Sequence, residues 1–227
     1  MMRNLQDGVI IDEFLRNDAD CPVFGFNLAC AYPFPAVAAQ FYRPIASRLA
    51  ALDPAVYLYP DWETHVTIVT FVNFSLHRRP DASRLAQLQS LLRPAIELLR
   101  PVLAGPTFPL VIGPPVLTPK AAILPISDPS GEITRIRRDV IGALDADKEL
   151  HGELSRAGLN APGIVHSTVM RFKSVPSDLA RFVAEFEEAA GAAQPVEIMI
   201  EELLLTTETK PYMREGTVEH RFPLAPV

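Results

Sequence analysis

The chain has 227 residues, of which 48% are hydrophobic, and it carries a formal net charge of −6. This length and apolar content suffice for one large domain or two small lobes around a buried core. Proteins that bind long nucleic acids usually present a basic face or stripe, and this acidic chain shows none, so we expect a small or terminal ligand rather than a long duplex.

The beginning of the chain predicts no targeting segment. A secretory signal needs a basic start followed by an apolar segment of about 7–15 residues, and residues 1–20 contain no such segment. No apolar run approaches the ~20 residues of a membrane span. The two cysteines, Cys21 and Cys30, are too few for a disulfide framework. We therefore expect a cytoplasmic monomer without a membrane partner, folded as one domain over residues 1–227.

Hydrophobic periodicity predicts an alternation of strands and helices along the chain. In chain order it predicts a strand at 22–31, a helix at 35–52, strands at 56–59 and 64–72, a long helix at 80–100, strands at 107–112 and 121–126, a helix at 131–146, a strand at 164–172, a helix at 177–190, and a closing pair of strands at 195–206 and 217–224. Residues 147–163 are predicted to be irregular.

Two of these predicted strands carry the same polar pattern. One contains THVTIV and the other VHSTVM, so each places a histidine two residues before a threonine within an apolar, β-branched run. Strand side chains alternate between the two faces, so His65 and Thr67 share one face of their strand, as do His166 and Thr168. The three other histidines are not followed by a hydroxyl residue at that spacing.

The four residues of the two motifs form a set suited to metal-free acid–base chemistry on a phosphodiester. In-line displacement at phosphorus needs a base for the nucleophile and an acid for the leaving oxygen, and histidine titrates near neutrality, so His65 and His166 can fill both roles. Thr67 and Thr168 would donate hydrogen bonds to the non-bridging oxygens. No metal or other cofactor is needed. Which histidine is the base depends on the orientation of the substrate.

The order of elements around the two motifs predicts the architecture. Each motif strand follows a helix and a short strand and precedes another helix, which indicates two similar α+β lobes facing each other across a cleft. We expect one His-x-Thr strand in each lobe.

At these residues the chain resembles the 2H phosphoesterase superfamily, which includes 2′-5′ RNA ligase-like proteins and 2′,3′-cyclic nucleotide phosphodiesterases. The family pattern is two copies of His-x-Thr/Ser, one in each lobe of a pseudo-twofold α+β fold, and members often carry an arginine three residues after the second Thr, here Arg171. The resemblance implies a bilobal fold, each lobe an antiparallel sheet packed with helices, with the active-site cleft between the lobes. It also implies a metal-independent phosphodiesterase for a small nucleotide or RNA-end substrate: a 2′,3′-cyclic phosphate, a 2′-5′ linkage or a cyclic nucleotide.

Two departures from the family pattern leave the subfamily and substrate open. After the first motif many relatives continue through an aromatic residue to a glycine, whereas this chain reads Thr70-Phe71-Val72-Asn73. The middle residue of the second motif, Ser167, is more polar than the usual aliphatic.

Substrate-binding candidates are two cations, Arg171 and Lys173, and several aromatic residues. Arg171 could neutralise a phosphate, although simple alternation puts it on the opposite strand face from His166, so a structural role is an equal alternative. Aromatic side chains can stack on a base, with core or rim packing as the competing interpretation. These aromatic candidates are Tyr57, Tyr59, Phe71 and Tyr212.

Two other functions remain open at this point. Asp61, Glu63 and His65 fall on one strand face if the strand extends that far, and carboxylates with an imidazole are acceptable ligands for a hydrolytic metal. The second alternative is a module that binds a nucleotide without turning it over.

Overall fold

A computed structural model describes residues 8–225 of the chain. Residues 1–7 and 226–227 lie outside the described part. Residues 1–7 are the beginning of the segment 1–20, in which the sequence predicts no targeting signal. Within residues 8–225, no helix is both long enough and apolar enough to cross a membrane.

Seven α-helices form between residues 8 and 225. They are α1 (Glu13–Asn17), α2 (Ala36–Leu52), α3 (Ala82–Ser90), α4 (Leu92–Leu99), α5 (Glu132–Ala146), α6 (Lys148–Arg156) and α7 (Leu179–Gly191). Four of them begin after an aspartate whose carboxylate accepts a hydrogen bond from a first-turn amide, which satisfies a donor that the helix leaves unpaired.

Two helix predictions need correction. The long helix expected at 80–100 is two helices, α3 and α4, because Pro94 has no amide to donate to the carbonyl of Ser90 and its ring opposes continuation there. Residues 147–163, expected to be irregular, contain α6, which buries Leu150 and Leu154 one turn apart. Two leucines in nine residues were too weak a periodic signal to predict a helix.

Ten β-strands form in the same range, and every pairing between them is antiparallel. They are β1 (Gly25–Cys30), β2 (Val56–Leu58), β3 (Val66–Val72), β4 (Phe108–Ile112), β5 (Val116–Leu117), β6 (Ala121–Ser127), β7 (His166–Phe172), β8 (Val196–Ile200), β9 (Glu202–Glu208) and β10 (Gly216–Pro223).

The strands build two sheets, one for each motif. The smaller sheet has the order β10-β9-β1-β3 and the larger has β2-β7-β6-β4-β8, with β5 beside β6. The first motif continues into β3 at the edge of the smaller sheet, and the second motif lies in β7 of the larger one. Two antiparallel sheets packed with helices confirm the predicted α+β architecture.

The two lobes are not the two halves of the sequence. Strand β2 precedes the first motif along the chain, yet it pairs with β7, which carries the second. The single closing strand expected at 195–206 is also wrong: it divides at Glu201 into β8 and β9, which belong to different sheets. Each sheet therefore draws strands from both halves of the chain.

Candidate functional site

The two motifs meet where their strands begin. The hydroxyl of Ser167, in β7, donates a 2.6 Å hydrogen bond to the main-chain carbonyl of His65, the residue before β3. Beside this contact lies a cleft of about 520 Å³. The cleft is lined by Asn27, Tyr59, His65, Thr67, Thr70, Asn73, Phe74, Ser75, Lys120, Asn160, Pro162, His166, Thr168, Arg171, Glu208 and Tyr212. The structure thus brings both His-x-Thr pairs to one cavity.

The chain preceding each motif histidine approaches the imidazole, but only His65 forms a hydrogen bond with it. Nδ1 of His65 lies 2.9 Å from the carbonyl oxygen of Glu63, two residues earlier. Because a carbonyl only accepts, Nδ1 carries the proton and Nε2 keeps its lone pair for chemistry. Nδ1 of His166 is buried and makes no hydrogen bond of ordinary geometry within the described residues. The carbonyl of Ile164, again two residues earlier, is still close enough to raise the pKa of His166.

Burial makes both histidines weaker bases than usual. Loss of solvent is the largest cause that lowers the pKa of His65, opposed by the Glu63 carbonyl and reinforced by the charge of His166. Burial also lowers the pKa of His166, with the charges of Arg171 and Arg137 acting in the same direction. Burial therefore favours the neutral form of both imidazoles in the unliganded protein.

A bulge in β7 turns Arg171 into the cleft. Thr168 and Met170 face consecutive residues of β6, so Val169 is an extra residue in the ladder. The carbonyl of Val169 accepts a 3.0 Å hydrogen bond from the hydroxyl of Tyr42 on α2. Beyond the bulge the alternation is reset, and Arg171 lies on the face that carries Thr168. The prediction that Arg171 lies on the opposite strand face from His166 is therefore wrong.

Strand β3 contains two such irregularities, at Ile68 and Phe71. The first leaves the Ile68 carbonyl free to accept a 3.0 Å hydrogen bond from Nε of Arg137 on α5, and it turns Thr70 towards the cleft. The same irregularity puts Phe71, the neighbour of Thr70, on the opposite face, in the core, where it has no exposed surface and stacks on Phe26 with ring centroids 5.3 Å apart. The prediction that Phe71 stacks on a base of the substrate is therefore wrong.

Arg171 is held by three neighbours in the cleft wall. Its Nε donates to the hydroxyl of Tyr59 at 2.9 Å, and its Nη1 lies 3.5 Å from a carboxylate oxygen of Asp12. The guanidinium also lies over the ring of Tyr212, 4.4 Å from the centroid, and the Tyr212 hydroxyl donates to the same Asp12 carboxylate. These contacts fix the direction of the guanidinium, which favours recognition of a defined anion position.

The remaining predicted residues do not reach the cleft lining. Tyr57 donates its hydroxyl to the Glu63 carboxylate at 2.6 Å and lies outside the lining. Asp61 is in a turn and pairs with Arg43 at the surface, so Asp61, Glu63 and His65 do not converge as a metal triad. Within residues 8–225 no cluster of three or more His, Cys, Asp or Glu side chains could hold a metal ion.

Sequence reasoning missed several polar residues of the cleft. Glu208 is 3% exposed, and burial raises its pKa to about 7, although the amide of Met213 and the side chain of Asn27 donate to it at 2.9 and 3.3 Å. Nothing local in the sequence indicates that position. Thr70 could have been found, because Thr70 and Arg171 both lie five residues after a motif histidine.

The fold matches solved structures at low sequence identity. TT0787 of Thermus thermophilus has a TM-score of 0.56 and 18% identity, over 89% of this chain and 98% of its own. Escherichia coli LigT in apo form has a TM-score of 0.51 and 14% identity, over 90% and 99% of the two chains. LigT complexed with 3′-AMP has a TM-score of 0.50 and 15% identity, over 91% and 99%. No protein-family model matches the chain, and no significant match was found among curated proteins. The structural likeness shows that this chain shares the fold of TT0787 and LigT.

Proposed function

We propose that this protein is a metal-independent phosphodiesterase that cleaves a small or terminal nucleotide or RNA phosphodiester by two-histidine general acid–base catalysis. The observation that carries the proposal is the convergence of both His-x-Thr pairs on one cleft. The resemblance of the two motifs to those of 2H phosphoesterases adds support.

The site performs the reaction through its own side chains. One neutral imidazole takes a proton from the attacking hydroxyl or water, while the other, protonated, gives a proton to the leaving oxygen. A bound phosphodiester anion favours the protonated form of the second histidine and so offsets the effect of burial on its pKa. Thr67 and Thr168 donate hydrogen bonds to the non-bridging oxygens, and Arg171 adds a fixed positive charge on one side.

The charge and size of the cleft favour a short substrate. Its cations are Lys120 and Arg171, and Glu208 places an acidic group in the same cavity. One phosphodiester with an adjacent nucleoside matches this set better than a polyphosphate or a long duplex. The 3′-AMP complex of LigT supports a nucleotide ligand for a cleft in this fold.

The proposal is tested by a substrate panel assayed in excess chelator. The panel contains 2′,3′-cyclic nucleotides, 2′-5′-linked dinucleotides, cyclic nucleotides, cyclic dinucleotides and RNA with modified ends, with products separated by chromatography. We expect turnover of at least one class, undiminished by chelator and abolished in a His65→Ala/His166→Ala double variant. Activity lost in chelator and restored by a divalent ion would overturn the metal-independent mechanism. Tight nucleotide binding without turnover would show a binding module instead.

A further inference from the structure

The middle residue of the second motif makes a contact that its counterpart in the first motif cannot make. Ser167 has no exposed surface, and its Oγ lies 2.6 Å from the carbonyl oxygen of His65. Val66, the corresponding residue of the first motif, is also fully buried but has no polar atom in its side chain. The hydroxyl that departs from the family pattern is therefore used for a bond between the motifs.

This bond joins the two histidines by a short route. Ser167 follows His166 in the chain, and its hydroxyl is bonded to the peptide carbonyl of His65 itself. The two motif strands belong to different sheets. The bulges below the histidines are held separately, Val169 by Tyr42 of α2 and Ile68 by Arg137 of α5. The Ser167 hydroxyl instead forms a hydrogen bond between the two motifs, directly beside the two histidines in the chain.

We propose that Ser167 is a positioning residue that sets the separation of the His65 and His166 imidazoles. The inference rests on the proposed function. A base and an acid must both stay within hydrogen-bond reach of one phosphodiester, and a misplacement of about 1 Å can reduce the rate about 10²-fold. Ser167 is not part of the cleft lining, so it acts through the two histidines and not on the substrate.

The kinetic test compares two substitutions of Ser167 with a remote control. Ser167→Ala removes the hydroxyl, and we expect kcat to fall about tenfold, the loss for a displacement of roughly half an ångström, with KM within about twofold of wild type. Ser167→Thr keeps the hydroxyl and should recover most of that loss. Ile198→Val, in edge strand β8, removes one buried methylene at a comparable cost in stability and should leave both constants unchanged. A Ser167→Ala kcat within twofold of wild type would overturn the inference.

A second measurement needs no turnover and separates the failure of this inference from that of the proposed function. The imidazole Cε1–H resonances of the full chain are titrated by NMR in wild type, Ser167→Ala and Ile198→Val. We expect Ser167→Ala alone to raise the pKa of His65 towards 6.5, because a loosened contact admits water and weakens the influence of His166. An unchanged His65 titration would overturn the inference whatever the kinetics show. A shifted titration in a protein that cleaves nothing in the panel would overturn only the proposed function.

Discussion

Strands β3 and β7 place their residues in the cleft by the same backbone geometry. Each motif has a histidine at the start, a threonine two residues later and a third cleft residue five positions after the histidine. In both strands an extra residue lies three positions after the histidine, and a side chain from a helix donates to its carbonyl. The repetition shows that one local device, a bulged strand, is sufficient to present all three side chains on one face.

The two strands differ in the charge that this geometry presents. The third cleft residue is Thr70 in β3 and Arg171 in β7, so a fixed positive charge lies on one side only. That charge also lowers the pKa of His166, whereas the charge that lowers the pKa of His65 is that of His166. The positions of the site residues are therefore nearly symmetric between the two strands, whereas their charges are not.

The largest losses of activity are expected at the two histidines, where the two strands are equivalent. His65→Ala and His166→Ala should each reduce kcat about 10²- to 10⁴-fold, because each histidine supplies one proton transfer. The double variant should lose much less than the product of the two effects, since residues that act as a unit are non-additive. Steady-state kinetics on a substrate from the panel, with thermal unfolding as the folding control, provide the measurement. Full turnover in either single variant would contradict the symmetric acid–base pair.

Smaller and unequal effects are expected at the third positions. Arg171→Met should reduce kcat/KM about 10- to 100-fold, because a charged hydrogen bond to phosphate is worth about 1.5–3 kcal/mol. Thr70→Val should cost about 2- to 10-fold, since at most one neutral hydrogen bond is lost. Equal losses of kcat/KM in the two variants, measured on one substrate, would show that the charge difference between the strands does not affect catalysis.

The pH dependence of the reaction follows from the direction of both pKa shifts. The free protein needs one neutral and one protonated histidine, and both pKa values lie below 6.5. We therefore expect kcat/KM to peak below pH 6.5 and to fall about tenfold per pH unit above the higher pKa. The optimum of kcat should lie at higher pH, because the bound anion raises the pKa of the protonated histidine. A kcat/KM optimum above pH 7 would contradict the lowering of both histidine pKa values by burial.

The smallest catalytic effect is expected at Phe71, which the bulge at Ile68 removes from the cleft. Phe71→Leu should lower the free energy of unfolding by about 1 kcal/mol through altered core packing and leave KM within twofold of wild type. Denaturant unfolding and steady-state kinetics measure the two effects. A large increase in KM without loss of stability would mean that Phe71 contacts the substrate.

Those features of the site that arise from neighbouring residues could be predicted from the sequence alone. The faces shared by His65 and Thr67 and by His166 and Thr168 follow from a period of two residues, which any strand imposes on its neighbours. For the same reason, hydrophobic periodicity identified most helices and strands, including both motif strands.

Features that depend on residues distant in the chain could be established only from the three-dimensional structure. The faces of Arg171, Thr70 and Phe71 are set by bulges, and side chains from α2 and α5 hold the carbonyls of Val169 and Ile68 in two of them. The assignment of strands to sheets is likewise a long-range choice, since β2 joins the lobe of the second motif. Strand alternation is a property of consecutive residues, whereas a bulge or a sheet pairing is stabilised by residues tens of positions away. That is why the histidine–threonine pairs could be read from the sequence and the rest of the cleft could not.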